Sequence, residues 1–295
     1  MRFPQSRTAA ATLLLAATPA LAQADTITVG GKNFTEQLIL ADMTVQYLDA
    51  RGYEVEERSG MGTTVLRQAQ ENGQVDLYWE YTGTSLISYN KVTESLSPEE
   101  AYQRVKALDA EKDLVWLAPS EANNTYALAM REDQARELEI ASISDLAEAI
   151  NAGHELVLAS NATFYSRDDG LRPMQETYGF EFGRRNVKRM DQGLTLPSLD
   201  QEEVDVAMTT ATNGRIPALD LTVLEDDRRF FPDYALTPVV REKTLTANPD
   251  LAEQMNALSA LLDDQTMARL NARVDVERET VEDVAEAFLE QHDLL

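Results

Sequence analysis

Cysteine is absent from the 295-residue chain, which excludes disulfides, thiolate metal sites, cysteine nucleophiles and a lipid-modified N-terminal cysteine. Histidine occurs only at His154 and His292, which excludes a multi-histidine metal centre and argues against a serine–histidine triad. Cations are scarce, with 26 Lys plus Arg against 51 Asp plus Glu and a formal net charge of −25. Nucleic acids and anionic lipid surfaces are held by clustered cations, so the charge balance argues against both as partners. Beyond the N-terminus, no stretch reaches the roughly 18 uncharged apolar residues read as a membrane span. What is present is a 43% hydrophobic composition, which at this length suits about two domains with buried cores.

The first segment reads as an address. Arg2 and Arg7 form a short cationic start, a run rich in Ala, Leu and Thr follows from Thr8 to Ala22, and small residues stand at Ala20, Ala22 and Ala24. This is the three-part layout of a secretory signal peptide, 1–24, with cleavage expected after Ala24. The expected product is a soluble periplasmic protein with no membrane insertion.

Periodicity then predicts alternating strands and helices. A strand at Thr26 to Val29 precedes a helix from Thr35 to Ala50, whose Leu38, Ile39, Leu40, Met43 and Tyr47 fall at near-helical spacing. A strand at Glu54 to Arg58, the turn Gly60-Met61-Gly62, a helix from Thr63 and a strand at Val75 to Trp79 complete a βαβαβ opening, which requires parallel neighbours. Seven further strand candidates run to Val240, and after it the pattern is helical to the end. The expected architecture is α/β with two lobes: 25–122 with 237–295 as lobe I, and 123–236 as lobe II. Strand Gln74 to Leu77 leads into Tyr81-Thr82-Gly83-Thr84, and strand Glu203 to Val206 leads into Thr210-Ala211-Thr212-Asn213. In open α/β sheets ligands sit beyond such carboxyl strand ends. Two such edges would share one cleft.

Three blocks then carry a resemblance: Gly31-Lys32-Asn33-Phe34-Thr35-Glu36-Gln37, Val75-Asp76-Leu77-Tyr78-Trp79-Glu80-Tyr81-Thr82-Gly83-Thr84, and Asn123-Asn124-Thr125-Tyr126-Ala127-Leu128. Together with Arg167-Asp168-Asp169-Gly170-Leu171, Leu224-Glu225-Asp226-Asp227 and Phe230-Phe231-Pro232-Asp233-Tyr234, they resemble, in family order, the periplasmic substrate-binding proteins of glycine betaine, choline and carnitine ABC importers. Within that family the chain is most similar to the osmoprotectant-binding branch of low-affinity glycine betaine systems. The resemblance implies a type II Venus flytrap with its ligand cleft between the lobes. It implies ABC permease and ATPase partners, a monomeric receptor, and neither a cofactor nor an enzymatic reaction.

By position in those blocks, Tyr81, Tyr126 and Tyr234 match cage tyrosines that surround a trimethylammonium head. Lys32, Gln37, Thr84 and Arg167 match positions that hold a ligand carboxylate in one or another relative, and Asn124 stands where some relatives carry Asp. A quaternary ammonium has no N–H to donate, so aromatic faces rather than hydrogen bonds select it. The fourth cage position is Thr210 where relatives have tyrosine, so the cage is expected to be open on one side unless another ring, such as Trp79 or Tyr165, moves in. For Arg167, a solvated ion pair with Asp168 and Asp169 is the competing expectation. Gly60-Met61-Gly62-Thr63 lacks the lysine of a phosphate loop and reads as a helix-start turn lining the cleft. Acidic doublets such as Glu202-Glu203 and Asp263-Asp264 lack the separated environments that catalytic carboxylate pairs need. The alternative functions are a sensory receptor using the same trap, a binding protein for a different small polar solute and, ranked last, a periplasmic hydrolase.

Overall fold

A computed structural model of the chain describes residues 26–295 apart from 93, 95 and 217. The signal-peptide expectation therefore lies outside the described residues. Among the described residues, ten strands form two five-stranded sheets. The first contains β1 (Ile27–Lys32), β2 (Val55–Met61), β3 (Leu77–Tyr81), β4 (Leu114–Trp116) and β10 (Leu236–Arg241), in the order β2-β1-β3-β10-β4. The second contains β5 (Tyr126–Arg131), β6 (Leu158–Ser160), β7 (Val187–Arg189), β8 (Val206–Thr210) and β9 (Leu221–Val223), in the order β7-β6-β8-β5-β9.

The βαβαβ opening is parallel, as its crossover helices require: β1 pairs in parallel with β2 and β3. Each sheet as a whole is mixed. β10 runs antiparallel to β3 and β4, and β5 runs antiparallel to β8 and β9. These two strands are the ones that follow a passage from one sheet to the other, and such a passage brings the chain into a sheet from the far lobe rather than through a local crossover helix. The two passages run side by side. Asn123 and Ala235 form an antiparallel bridge, the Leu236 N–H donates to Ala122 O at 2.9 Å, and the Asn124 N–H donates to Tyr234 O at 3.2 Å.

Local chemistry starts several helices. Ser97 caps Pro98–Ala110 in a capping box with Glu100, and Pro98 stands in its first turn, where a missing N–H costs nothing. Ser142 and Asp145 do the same for Ile143–Asn151. The helix Thr35–Asp49 buries Ile39, Leu40, Met43 and Tyr47, joining a core that includes Ile27, Trp79, Met255, Leu270 and Phe288. The C-terminal helices are thus packed back on the first sheet. A separate core of Leu128, Ile143, Leu158, Phe164, Met174 and Met208 belongs to the second.

The two strand ends that face each other continue differently. β3 does lead into a helical segment, the wide π-type turns of Thr84–Tyr89, a geometry found frequently at functional sites. β8 leads instead into turns at 211–212 and 214–216.

Candidate functional site

A cavity of about 40 Å³ lies between the sheets at their carboxyl strand ends. From the first lobe it is lined by Lys32, Phe34, Thr63, Tyr81 and Thr84, from the second by Arg167, Gln192 and Thr210, and from the passages between them by Asn124, Tyr126 and Tyr234. The two strand ends paired by sequence, Tyr81 on β3 and Thr210 on β8, therefore face one space. Thr63, at the start of the helix after Gly60-Met61-Gly62, is part of the wall, whereas Gly60 and Met61 belong to β2 instead of a turn and do not line the cavity.

The rings are placed by local constraints. A Cβ on Gly83 would come within 2.8 Å of Asp233 O and of the Tyr234 ring, so the glycine after Tyr81-Thr82 lets the second passage close onto β3. Tyr126 and Tyr234 meet edge to face, with centroids 5.5 Å apart and planes at 79°. Phe164, 5.0 Å from the Tyr126 ring, supports it from the second core. Burial pushes the Tyr81 and Tyr234 phenols well above their ordinary pKa, so these rings stay neutral and keep the electron-rich faces that attract a cation.

The charged groups are already paired. Lys32, 2% exposed, is ion-paired with Glu80, 0% exposed, and burial lowers the Lys32 pKa while Glu80 opposes the shift. Arg167 does not form a solvated pair: it clasps Asp169 through Nε at 2.6 Å and Nη2 at 2.5 Å, with both side chains only 6% and 5% exposed. Asp168 turns outward to the exposed Lys91. The burial of Arg167 follows from its reach across the cleft, where it donates to Thr84 Oγ1 at 3.3 Å and to the Tyr234 hydroxyl at 3.1 Å. Its guanidinium carbon lies 5.5 Å from the ring centres of both Tyr126 and Tyr234. Burial disfavours its charge, but Tyr126, Tyr234 and Asp169 outweigh that and hold its pKa well above the ordinary value.

Gln37 is not in the wall. Its side-chain amide donates to Trp79 O at 2.9 Å and to the Tyr81 hydroxyl at 3.1 Å, so it holds the Tyr81 ring from behind. Neither ring considered as a substitute for the missing tyrosine fills the gap. Trp79 is 1% exposed in the first core and donates to Thr44 Oγ1. Tyr165 is 41% exposed beneath Arg189. The fourth ring is Phe34, which stands on the wall beside Tyr81. The block Gly31 to Gln37 contained it, but its aromatic character alone did not separate it from a packing residue.

Glu36, from the same block, is the second residue that sequence reasoning missed. Its buried carboxylate accepts from Tyr81 and Asn124 on one oxygen and from Thr212 and Asn271 on the other. Beyond Thr210 a further space of about 290 Å³ shares Phe34, Asn124, Gln192 and Thr210 with the cage and reaches Glu36, Arg215, Asn271 and Asp275. The side left without a tyrosine therefore borders an outer chamber.

Residues 25–291 match the family model OpuAC, the substrate binding domain of ABC-type glycine betaine transport systems. The chain belongs to this family. It is 46% identical over 281 residues to a glycine-betaine-binding protein of Pseudomonas aeruginosa, covering 93% of this chain and 90% of the relative. It is 33% identical over 288 residues to the glycine betaine-binding protein YehZ of Escherichia coli, covering 95% and 94%. A crystal structure described as a glycine betaine/carnitine/choline ABC transporter is similar with a TM-score of 0.74 and 28% identity, covering 91% of this chain and 99% of that one. Like its neighbours in the family, the chain is a two-lobed α/β substrate-binding protein of the ABC importer type.

Proposed function

We propose that this OpuAC-family protein is a periplasmic receptor that captures a quaternary-ammonium osmolyte, glycine betaine or a close chemical relative, and passes it to an ABC permease driven by its ATPase. The observation that carries this reading is the convergence of Tyr81, Tyr126, Tyr234 and Phe34 on one space between the lobes. A trimethylammonium group offers neither a donor nor an acceptor, and its charge is spread over methyl surface. Ring faces meet both properties at once, by quadrupole attraction of about 0.5–2 kcal/mol per contact and by covering the methyls.

Lys32, Thr84 and Arg167 form the polar end, where a ligand carboxylate would join the existing pairs of Lys32 with Glu80 and Arg167 with Asp169. Asn124 braces the junction by its bond to Glu36, and Gln37 acts through Tyr81. Thr210 leaves the fourth wall to Phe34 and the outer chamber. The lobes comprise 25–122 with 237–295 and 123–236, and they hinge where the two passages pair at Asn123 and Ala235. Contacts from both lobes to one ligand favour the closed form, the form a permease reads. The receptor works as a monomer and carries its ligand without a chemical step.

The test is a thermal-shift screen of the mature protein against glycine betaine, choline, carnitine, proline betaine and the common amino acids. Ligand at 100 times its Kd stabilises the folded state by about 2.7 kcal/mol, a rise of several degrees in Tm. Onium compounds should give that rise. A rise with amino acids alone, or with nothing in the set, would overturn the reading.

A further inference from the structure

Among the described residues, the site carries one negative charge more than it balances. Lys32 is matched by Glu80 and Arg167 by Asp169, whereas Glu36, 3% exposed, has no ion pair among the described residues. Its partners are neutral donors that fill both oxygens. Oε1 accepts from the Tyr81 hydroxyl at 2.7 Å and from Asn124 Nδ2 at 2.6 Å. Oε2 accepts from Thr212 Oγ1 at 2.5 Å and from Asn271 Nδ2 at 3.1 Å. The Tyr81 oxygen itself accepts from Gln37 Nε2 at 3.1 Å, which commits its own proton to Glu36.

Tyr81, Asn124 and Asn271 are committed donors, and the Thr212 hydroxyl is the one partner that can also accept, so three of the four contacts stabilise the ionised form. Hydrogen bonds from neutral groups do not cancel the charge, and burial pushes the Glu36 carboxyl above its ordinary range despite all four of them. Burial therefore disfavours the anion that stands behind the cavity wall. A cation placed in the cavity lowers that cost.

We propose that Glu36 is the counter-charge by which the cavity prefers an onium ligand to an uncharged molecule of the same shape. This rests on the onium reading given above and extends it to a specificity-determining residue. Its carboxylate stands one hydrogen bond behind the wall residues Tyr81 and Asn124. The wall at Asn124 is neutral, so the negative charge lies in the layer behind it. Donation of the Tyr81 proton to a carboxylate also makes that ring a better face for a cation.

The experiment pairs each ligand with its carbon isostere: choline with 3,3-dimethylbutan-1-ol, and glycine betaine with 3,3-dimethylbutanoate. Dissociation constants are measured by NMR titration for the wild type, for E36Q and for the double variant E36Q/N124D. Gln keeps the shape, and the Thr212 hydroxyl can reverse to accept from it. The onium-over-isostere ratio should fall about tenfold or more in E36Q, the scale expected for one partly screened charge within a phenol's reach, and return in E36Q/N124D, where the charge stands on the wall.

The wild type alone supplies a second reading. Its ratio should fall as pH drops through the raised pKa of Glu36, and the E36Q ratio should be flat over the same range. The other ionisable groups around Glu36 are Tyr81, Lys32 with Glu80, Arg215 with Asp275, and Asp191 on the outer chamber, all of which E36Q retains. An equal loss of onium and isostere in E36Q, or an unchanged ratio, would make Glu36 a structural support and overturn the proposal. Should E36Q fail to fold, a pH-independent ratio in the wild type would overturn it. If the wild type bound no onium compound, the functional reading would fall and this proposal with it.

Discussion

Phe34 stacks on Tyr81, with ring centroids 6.5 Å apart and planes 23° from parallel. Phe34 sits one residue before the helix Thr35–Asp49 with extended backbone, half-buried against the edge of the first core and on the wall of the cleft. Replacing it by Ala should weaken binding of glycine betaine by about 0.5–2 kcal/mol, the worth of one ring against an onium. Calorimetry would show this as a rise in Kd with the melting temperature of the unliganded protein little changed. An unchanged Kd would remove Phe34 from the cage.

Tyr126 is the ring best fixed by its surroundings, between Tyr234, Phe164 and Phe231. Tyr126→Ala should reduce affinity at least tenfold, because it removes one ring and releases a second. Tyr126→Phe should retain most of it, since a face and not a hydroxyl meets the methyl groups. Equal losses in the two variants would assign the binding to the hydroxyl.

Thr210 pairs in register with Tyr126 across β8 and β5, so a tyrosine there would stand beside the Tyr126 ring as a cross-strand aromatic neighbour. Thr210→Tyr should tighten glycine betaine several-fold by closing the side next to the outer chamber. Comparing the Kd for glycine betaine with that for a bulkier onium would check the cause: the smaller ligand should gain and the larger should not.

Away from the cleft, Arg67 and Asp109 form a buried bidentate pair with both contacts at 2.7 Å. Asp109 also accepts from Ser85, Asn90 and Trp116. Arg67→Met would leave that carboxylate with only the more exposed Lys112, 3.8 Å away, and should cost about 3–5 kcal/mol of stability in urea unfolding.

The pH dependence of the same pair has a definite sign. Burial acts to raise the Asp109 pKa, but the bonds from Arg67, Asn90 and Trp116 outweigh it and hold it below 3.8. A carboxyl with a depressed native pKa contributes stability above its unfolded value, and that contribution is lost as pH falls through the native one. Asp109→Asn should therefore flatten the stability profile below about pH 4, measured by urea midpoints at stepwise pH. A wild-type slope retained in the variant would place the acid sensitivity elsewhere.

Much of this protein follows from local order along the chain. Strand and helix alternation, the capped helices at Ser97 and Ser142, and the hydroxyl-rich ends of β3 and β8 are written within ten or so residues, because hydrophobic period and capping chemistry act over that distance. The blocks around Tyr81, Tyr126 and Tyr234 marked rings that the fold does bring to one cavity.

What the fold alone decided depends on residues distant in sequence. Arg167 is buried only because Thr84 and Tyr234 arrive from across the cleft, and beside Asp168 and Asp169 it was indistinguishable from a surface ion pair. The antiparallel course of β5 and β10 follows from two passages between the sheets, which no local pattern encodes. Glu36 takes its partners from positions 81, 124, 212 and 271. Its burial and missing counter-ion exist only once those segments meet, since desolvation and charge balance are properties of the packed site and not of any stretch of chain.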